Sequence, residues 1–195
     1  DILATSNAQI GMLDEAIEAY KKTISLKPDY VDAYNNMGII LRNQGKFDEA
    51  ISVYKKVIVL KPDYVKAYIN MGIAFKDQDK FDEAIEVYKK AILIKPDHVE
   101  AYDNMGIALK NQGKFDMAIE TFKKALSIKP NNAQVYYNMG NTLQDQGKLD
   151  EAIEYYNKSI LHKPNSTEAY NNMGSALKIQ CKFEDLFLTI IKRHE

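Results

Sequence analysis

The spacing of the prolines is the feature that most constrains what this chain can fold into. A fixed period of 34 residues separates them, and a lysine precedes each one: Pro28, Pro62, Pro96, Pro130 and Pro164. A period of this length is typical of a stacked array, in which each unit packs on its neighbours and no single core organises the chain.

Each period contains two runs of apolar residues at helical spacing. With the proline counted as unit position 32, the complete unit 31–64 has a first stripe at positions 4, 7, 8 and 11. Gly45 supplies the left-handed backbone that ends this helix, and Pro62 prevents the second helix from continuing. Each unit therefore predicts a pair of antiparallel helices. The stripes are Tyr34, Met37, Gly38 and Leu41, then Phe47, Ala50, Ile51, Tyr54 and Ile58.

Two units lack the turn glycine. Asp79 replaces it in one, which is tolerable because Asp enters the left-handed region more readily than most residues. Cys181 replaces it in the last unit, where the fit is poorer, so the turn is expected to change there.

The pattern resembles the tetratricopeptide repeat (TPR) family, with Tyr in place of the family's Trp and Met in place of its Leu. The resemblance implies an all-α, right-handed superhelical solenoid of antiparallel helix pairs. It is carried in one unit by Tyr102, Met105, Gly106, Leu109, Ala118, Phe122, Ala125 and Pro130.

One such array is expected to occupy residues 1–195. The first unit follows the pattern only in its second helix, so the helix over residues 1–10 is expected to be shortened, frayed or borrowed by a partner. The predicted divisions are a partial repeat at 1–30, complete repeats at 31–64, 65–98, 99–132 and 133–166, and a divergent terminal repeat at 167–195.

No pattern of residues indicates catalysis, so the chain is predicted not to be an enzyme and to hold no metal or cofactor. His98, His162 and His194 lack the spacing of metal ligands and are expected at the surface. Cys181 has no nucleophile signature. The formal net charge of -1 argues against nucleic acid as a partner.

No apolar run approaches the length of a membrane span, and the first residues do not form a signal peptide. A cytoplasmic protein without a membrane partner is therefore expected. Because the sequence opens on Asp, it is interpreted as a piece of a longer protein.

One asparagine recurs at unit position 6, on the side of the first helix that faces away from its own hairpin. Its amide offers one acceptor and two donors, enough to hold a peptide unit by its backbone. Position 2 on the same face varies, which argues against simple duplication, although asparagines that only pin neighbouring helices remain an alternative. The five are Asn36, Asn70, Asn104, Asn138 and Asn172.

The neighbours of these asparagines are expected to select side chains of a bound extended peptide. Ile39, Ile73 and Ile107 at position 9 make the early part of the groove apolar. Asn141 replaces them later, with Tyr137 nearby, and Lys66 is one of the charged residues at position 2.

Such a ladder resembles the repeat arm of O-linked N-acetylglucosamine transferases, which implies a backbone grip on protein substrates. The main prediction is a non-catalytic scaffold for extended peptides, and a recruiting arm of a larger enzyme is the alternative. The carboxylate clamp of chaperone-binding members would need Lys at position 5 and Arg at position 6, and Asn36 with Lys66 matches it only in part.

The last helix is expected to form an interface rather than a polar cap. Leu188 and Ile191 stand at positions that are charged or polar in the other units, with Phe187 beside them. Self-assembly into a homo-oligomer through this helix, or contact with a following domain, is the third prediction.

Overall fold

The computed structural model describes residues 2–192, with side chains from residue 11 to residue 181. This part of the chain is helical and contains no strand. The helices are α1 (Ile2–Leu26), α2 (Val31–Asn43), α3 (Phe47–Leu60), α4 (Val65–Lys76), α5 (Phe81–Ile94), α6 (Val99–Asn111), α7 (Phe115–Ile128), α8 (Ala133–Asp145), α9 (Leu149–His162) and α10 (Thr167–Lys192).

Two compact units make up the chain, residues 1–104 and residues 105–195. The first has a core of apolar side chains from α1 to α5, centred on Tyr54 and Leu41. The second has a core around Tyr156 and Leu143, to which Ala176 of α10 contributes. The prediction of an all-α array of helix pairs is confirmed.

Glycine at unit position 8 allows the two helices of a pair to approach each other. A Cβ atom on Gly38 would lie 2.5 Å from Cε1 of Tyr54, closer than side chains tolerate. The same notch holds the aromatic ring at position 24 in each complete repeat, including Phe122 against Gly106 and Tyr156 against Gly140. Small residue and ring therefore fix the distance between paired helices.

The turns between paired helices have the predicted left-handed backbone. Gly45 has φ 74°, Gly113 has φ 74° and Gly147 has φ 78°. Asp79, the one non-glycine residue with positive φ in the described chain, has φ 57°. The predicted tolerance of Asp at this turn is confirmed.

The two end helices are longer than the helices of the complete units. α1 is one continuous helix that runs through Gly11. The partial repeat at 1–30 therefore has no separate first helix before its predicted second helix. The last helix, α10, runs through Cys181 without a turn. At Cys181, where the turn was expected to change, the chain continues as helix. The bounds of the repeats remain a prediction.

Successive hairpins are joined by a bond between Gln at position 14 and Asp at position 18 of the preceding hairpin. In the first compact unit, Gln78 Nε2 donates to Asp48 Oδ1 over 2.9 Å. In the second unit Gln146 donates to Asp116 over 2.9 Å. The aspartates at the starts of α3 and α7 therefore join adjacent repeats within a compact unit.

Candidate peptide-binding face

The face predicted to bind peptide consists of unit positions 2, 6, 9 and 13 of the first helix in each pair, and it is called the inner face below. On a helix these positions point away from the glycine notch of position 8. α2 and α4 carry this face in the first compact unit, whereas α8 and the beginning of α10 carry it in the second.

The position 6 asparagines of the first compact unit differ in their hydrogen bonds. Asn36 is exposed, and its side chain makes no hydrogen bond with the described residues. Asn70 is half-buried and donates from Nδ2 to Oδ1 of Asn35 over 2.9 Å, which links α4 to α2. Asn104 donates to the carbonyl oxygen of Glu100 in its own helix over 3.0 Å. One of the three therefore pins neighbouring helices, and one is free towards solvent.

Both asparagines of the second unit are held in polar contacts. Asn138 is buried, and its Oδ1 accepts a bond of 3.2 Å from Gln134 Nε2. Asn172 Nδ2 lies 3.0 Å from the Tyr137 hydroxyl and 2.8 Å from Asn141 Oδ1. The amides of this part of the inner face are therefore bonded within the protein.

Asn141 also reaches the aromatic notch beneath it. The hydroxyl of Tyr156 lies 2.9 Å from Asn141 Oδ1 and 2.7 Å from Gln144 Oε1, so it can donate to either. Burial raises the pKa of Tyr156 well above its usual value. The polar residue at position 9 thus satisfies a buried hydroxyl as well as facing the groove.

The apolar part of the inner face is partly open to solvent. Ile39 and Ile73 in the first unit, and Ile107 in the second, are half-buried, as is Tyr137. Lys66 is exposed. Asp32, at position 2, already accepts a hydrogen bond of 2.6 Å from the Tyr64 hydroxyl. Burial, followed by this bond, raises the pKa of Tyr64 to about 12.

Some contacts of this face could not be read from helical spacing. Asn35 stands at the variable position 5, yet it is buried and receives the bond from Asn70. Gln144 likewise carries no repeating signal. The glutamines at position 14, some of which bond to the preceding hairpin, do carry a repeating signal. Gln recurs there as regularly as Asn does at position 6: Gln44, Gln78, Gln112, Gln146 and Gln180.

The remaining candidate residues lie elsewhere. His162 is exposed and stacks on Tyr136 with ring centroids 5.5 Å apart. His98 is half-buried, and its Nδ1 is buried without a hydrogen-bond partner, which departs from the surface position expected. No cluster of potential metal ligands occurs among the described residues.

The interface residues of the last helix fall beyond the described side chains. Phe187, Leu188 and Ile191 belong to α10, but only its backbone is described there, so the interface stays a prediction. In the part of the chain that the structure covers, no helix is both long and apolar enough to cross a membrane.

Comparison with the sequence profiles of known families matches most of the chain to one kind of repeat. The sequence profile of the TPR repeat matches residues 8–45, 38–79, 74–113 and 108–147, and that of the tetratricopeptide repeat matches 133–166. The chain belongs to the tetratricopeptide repeat family. A comparison with curated proteins found no match.

Solved structures of TPR proteins are similar to this chain. The crystal structure of MamA is 29% identical, covers 84% of this chain and 95% of its own, and has a TM-score of 0.70. TTC0263, a thermophilic TPR protein of Thermus thermophilus, is 19% identical, with coverages of 90% and 95% and a TM-score of 0.73. MamA 41-end from Desulfovibrio magneticus RS-1 is 21% identical, with coverages of 85% and 93% and a TM-score of 0.70.

These comparisons identify the kind of protein, a TPR scaffold for protein–protein interaction. Repeat arrays of this kind present extended surfaces to their partners. The family is generally non-catalytic.

Proposed function

We propose that this TPR scaffold binds extended peptide along the inner face of its first helices. The observation that carries the proposal is the exposed, unbonded amide of Asn36 beside the half-buried Ile39. An amide that is free in the folded protein can pair with both the C=O and the N–H of one peptide unit. A half-buried isoleucine beside it offers apolar surface to a side chain of the same peptide.

The asparagines contribute unequally in this proposal. Asn36 and Asn104 act as the main grips, since neither is bonded to a neighbouring first helix. Asn70 shares its amide with Asn35, so it stabilises the stack and has its Oδ1 left to accept from a ligand. Asn172 instead holds Tyr137 and Asn141 in place, and Asn138 accepts a bond from Gln134. The face then selects apolar side chains beside Ile39, Ile73 and Ile107 and polar ones beside Asn141.

The proposal can be tested with arrays of peptides of varied sequence, each made with ordinary and with N-methylated backbone amides. Wild type is expected to bind unrelated sequences, and methylation is expected to abolish binding because it removes the N–H donors. Asn36→Ala and Asn104→Ala should each weaken binding roughly fivefold, as expected for the loss of about 1 kcal/mol of hydrogen bonding.

Asn157→Ala is the matched control, because Asn157 is an exposed asparagine on the second helix α9, outside the inner face. It should bind like wild type, and circular dichroism should show that all variants fold. Equal binding of methylated and ordinary peptides would refute the backbone grip. Absence of binding by wild type would refute the proposal as a whole.

A further inference from the structure

A groove lies between the second helices α3 and α5, on the side of the hairpins away from the inner face. Its floor consists of residues of α4 at unit positions 4, 7 and 11, which point opposite to positions 2, 6, 9 and 13. The groove has a volume of about 590 Å³, and Val59 at its edge is 73% exposed. It is called the outer groove below, and its apolar lining consists of Ile58, Val59, Tyr68, Met71, Phe75 and Val87. Apolar surface is therefore open to a partner here.

An aromatic ring of the chain itself lies at the equivalent place in the second compact unit. Tyr155 of α9 stands at unit position 23, where α5 has Val87. Its ring centroid lies 6.2 Å from that of Tyr136 in α8, and the Lys158 ammonium lies 4.5 Å from it. The opening that remains between α7 and α9 is about 250 Å³. A tyrosine at position 23 therefore fills much of the groove, whereas a valine leaves it open.

The outer groove has the same two residues that hold this ring in the second compact unit. Tyr68 stands at position 4, as Tyr136 does. The two hydroxyls donate to the carbonyl oxygen of the preceding proline over 2.9 Å and 3.0 Å, so both rings are anchored alike. Lys90, which lines the outer groove, stands at position 26, as Lys158 does. An aromatic side chain that enters the outer groove therefore meets a tyrosine ring and a lysine ammonium.

Two lysines on the rim favour an acidic residue beside that aromatic side chain. Lys55 of α3 and Lys90 of α5 line the outer groove, and neither has an ion-pair partner among the described residues. Lys158 differs, because it is paired with Glu154. Glu86, at the equivalent position in α5, pairs with a different lysine. A carboxylate of an incoming segment can therefore pair with lysines that the chain itself leaves unpaired.

We propose that the outer groove binds an aromatic side chain of a segment of another protein, with an acidic residue next to it in that segment. The ring packs between Tyr68 and Val87, beside the ammonium of Lys90, in the place that Tyr155 takes in α9. The neighbouring carboxylate pairs with Lys55. This surface lies apart from the inner face, so the proposal does not depend on peptide binding there.

Three blocked tripeptides test the chemistry of the occupant: Glu-Tyr-Glu, Glu-Leu-Glu and Lys-Tyr-Lys, each acetylated and amidated. Each is titrated into methyl-labelled protein and followed by NMR. Glu-Tyr-Glu should shift the methyl resonances of Val87 and Met71 through the ring current of its tyrosine. It should bind about tenfold more tightly than Glu-Leu-Glu, which has no ring, and than Lys-Tyr-Lys, which the two lysines repel.

Val87→Tyr tests the site, because it supplies the ring from α5 itself, as Tyr155 does in α9. The variant should keep its circular dichroism and bind Glu-Tyr-Glu at least tenfold more weakly than wild type. Lys90→Gln should weaken binding about fivefold. Lys56→Gln is the matched control, because Lys56 is exposed on α3 beside Lys55 but does not line the groove. It should bind like wild type.

Equal affinity for Glu-Tyr-Glu and Glu-Leu-Glu would overturn the choice of an aromatic side chain. Unchanged binding by a folded Val87→Tyr variant would overturn the site, and should that variant not fold, equal binding by Lys90→Gln and Lys56→Gln would do so. Self-association of wild type that Val87→Tyr abolishes, measured by sedimentation, would assign the groove to a second copy and overturn the proposal.

Discussion

At the scale of single residues, the aromatic residues in the glycine notches differ between repeats. They differ in whether they carry a hydroxyl and in whether that hydroxyl has a hydrogen-bond partner. The hydroxyls of Tyr54 and Tyr88 are buried without a hydrogen-bond partner among the described residues. Phe122 occupies the same position with no hydroxyl, and Tyr156 has Asn141 and Gln144 in reach. The polar residue at position 9, Asn141, therefore gives the hydroxyl of Tyr156 a partner that Ile39 and Ile73 do not offer to Tyr54 and Tyr88.

Exchanging these tyrosines for phenylalanine should have opposite effects. Tyr156→Phe removes the donor to Gln144 Oε1, whereas Asn141 Oδ1 keeps its bond from Asn172, and the variant should lower the free energy of unfolding by about 1 kcal/mol. Tyr54→Phe removes an unsatisfied hydroxyl and should leave that free energy unchanged or raise it by up to about 1 kcal/mol. Urea unfolding followed by circular dichroism measures both, and a larger loss in Tyr54→Phe than in Tyr156→Phe would contradict this account.

The same contrast shows what a sequence can predict at this scale. Helical spacing places Asn70 on the face away from its hairpin, because that depends only on the rotation of one helix. Its bond to Asn35 depends on where the next repeat lies, which spacing within one helix does not contain. Turn conformations were predictable because φ at Gly45 and Asp79 is a local property.

At the scale of helices, the glutamine–aspartate bridges join one hairpin to the next. Gln78 is placed by the end of α4, and Asp48 by the start of α3, so the bond spans two repeats. Lys80 also approaches Asp48, with 3.8 Å between Nζ and Oδ1. The hydrogen bond is short, while the ion pair is longer and largely exposed.

A double-mutant cycle should separate these two contacts. Gln78→Ala with Asp48→Ala is expected to give a coupling energy of about 1 kcal/mol, as for a hydrogen bond to a charged group in a partly exposed site. Lys80→Met with Asp48→Ala should couple by less than about 0.5 kcal/mol, and less still in high salt. A stronger coupling for the lysine would show that charge, rather than the amide bond, joins the repeats.

Element boundaries were predictable where a turn residue marked them. The complete repeats have Gly or Asp at the turn and proline after the second helix, and their helices end beside these residues. α10 has Cys181 at the equivalent place, which does not favour left-handed backbone, whereas α1 is continuous although Gly11 occupies that place. Their continuity depends on what helix packing allows, which local pattern does not reveal.

At the scale of the whole molecule, buried tyrosines couple stability to alkaline pH. Burial raises the pKa of Tyr54 to about 12 and that of Tyr88 and Tyr156 further. In the unfolded chain tyrosine ionises near pH 10, so above that pH the unfolded state binds fewer protons than the folded state. Stability from this source is complete below about pH 10 and is lost as pH rises.

The free energy of unfolding of wild type should therefore decrease above about pH 10, by up to about 1.4 kcal/mol per pH unit for each buried tyrosine. Tyr54→Phe should reduce this slope between about pH 10 and pH 12. Leu93→Ala should not, since it removes an exposed side chain that carries no ionisable group. Urea unfolding at a series of pH values measures the slopes, and equal slopes for the two variants would contradict the assignment to burial.

The 34-residue period also has a consequence for how such a protein changes through time. Neighbouring repeats use the same notch and the same turn at the same positions, so one repeat stacks on another through equivalent residues. Loss or gain of one complete repeat would preserve the 34-residue spacing, because each repeat ends two residues after its proline. The number of stacked repeats can therefore change while each hairpin keeps its own notch and turn.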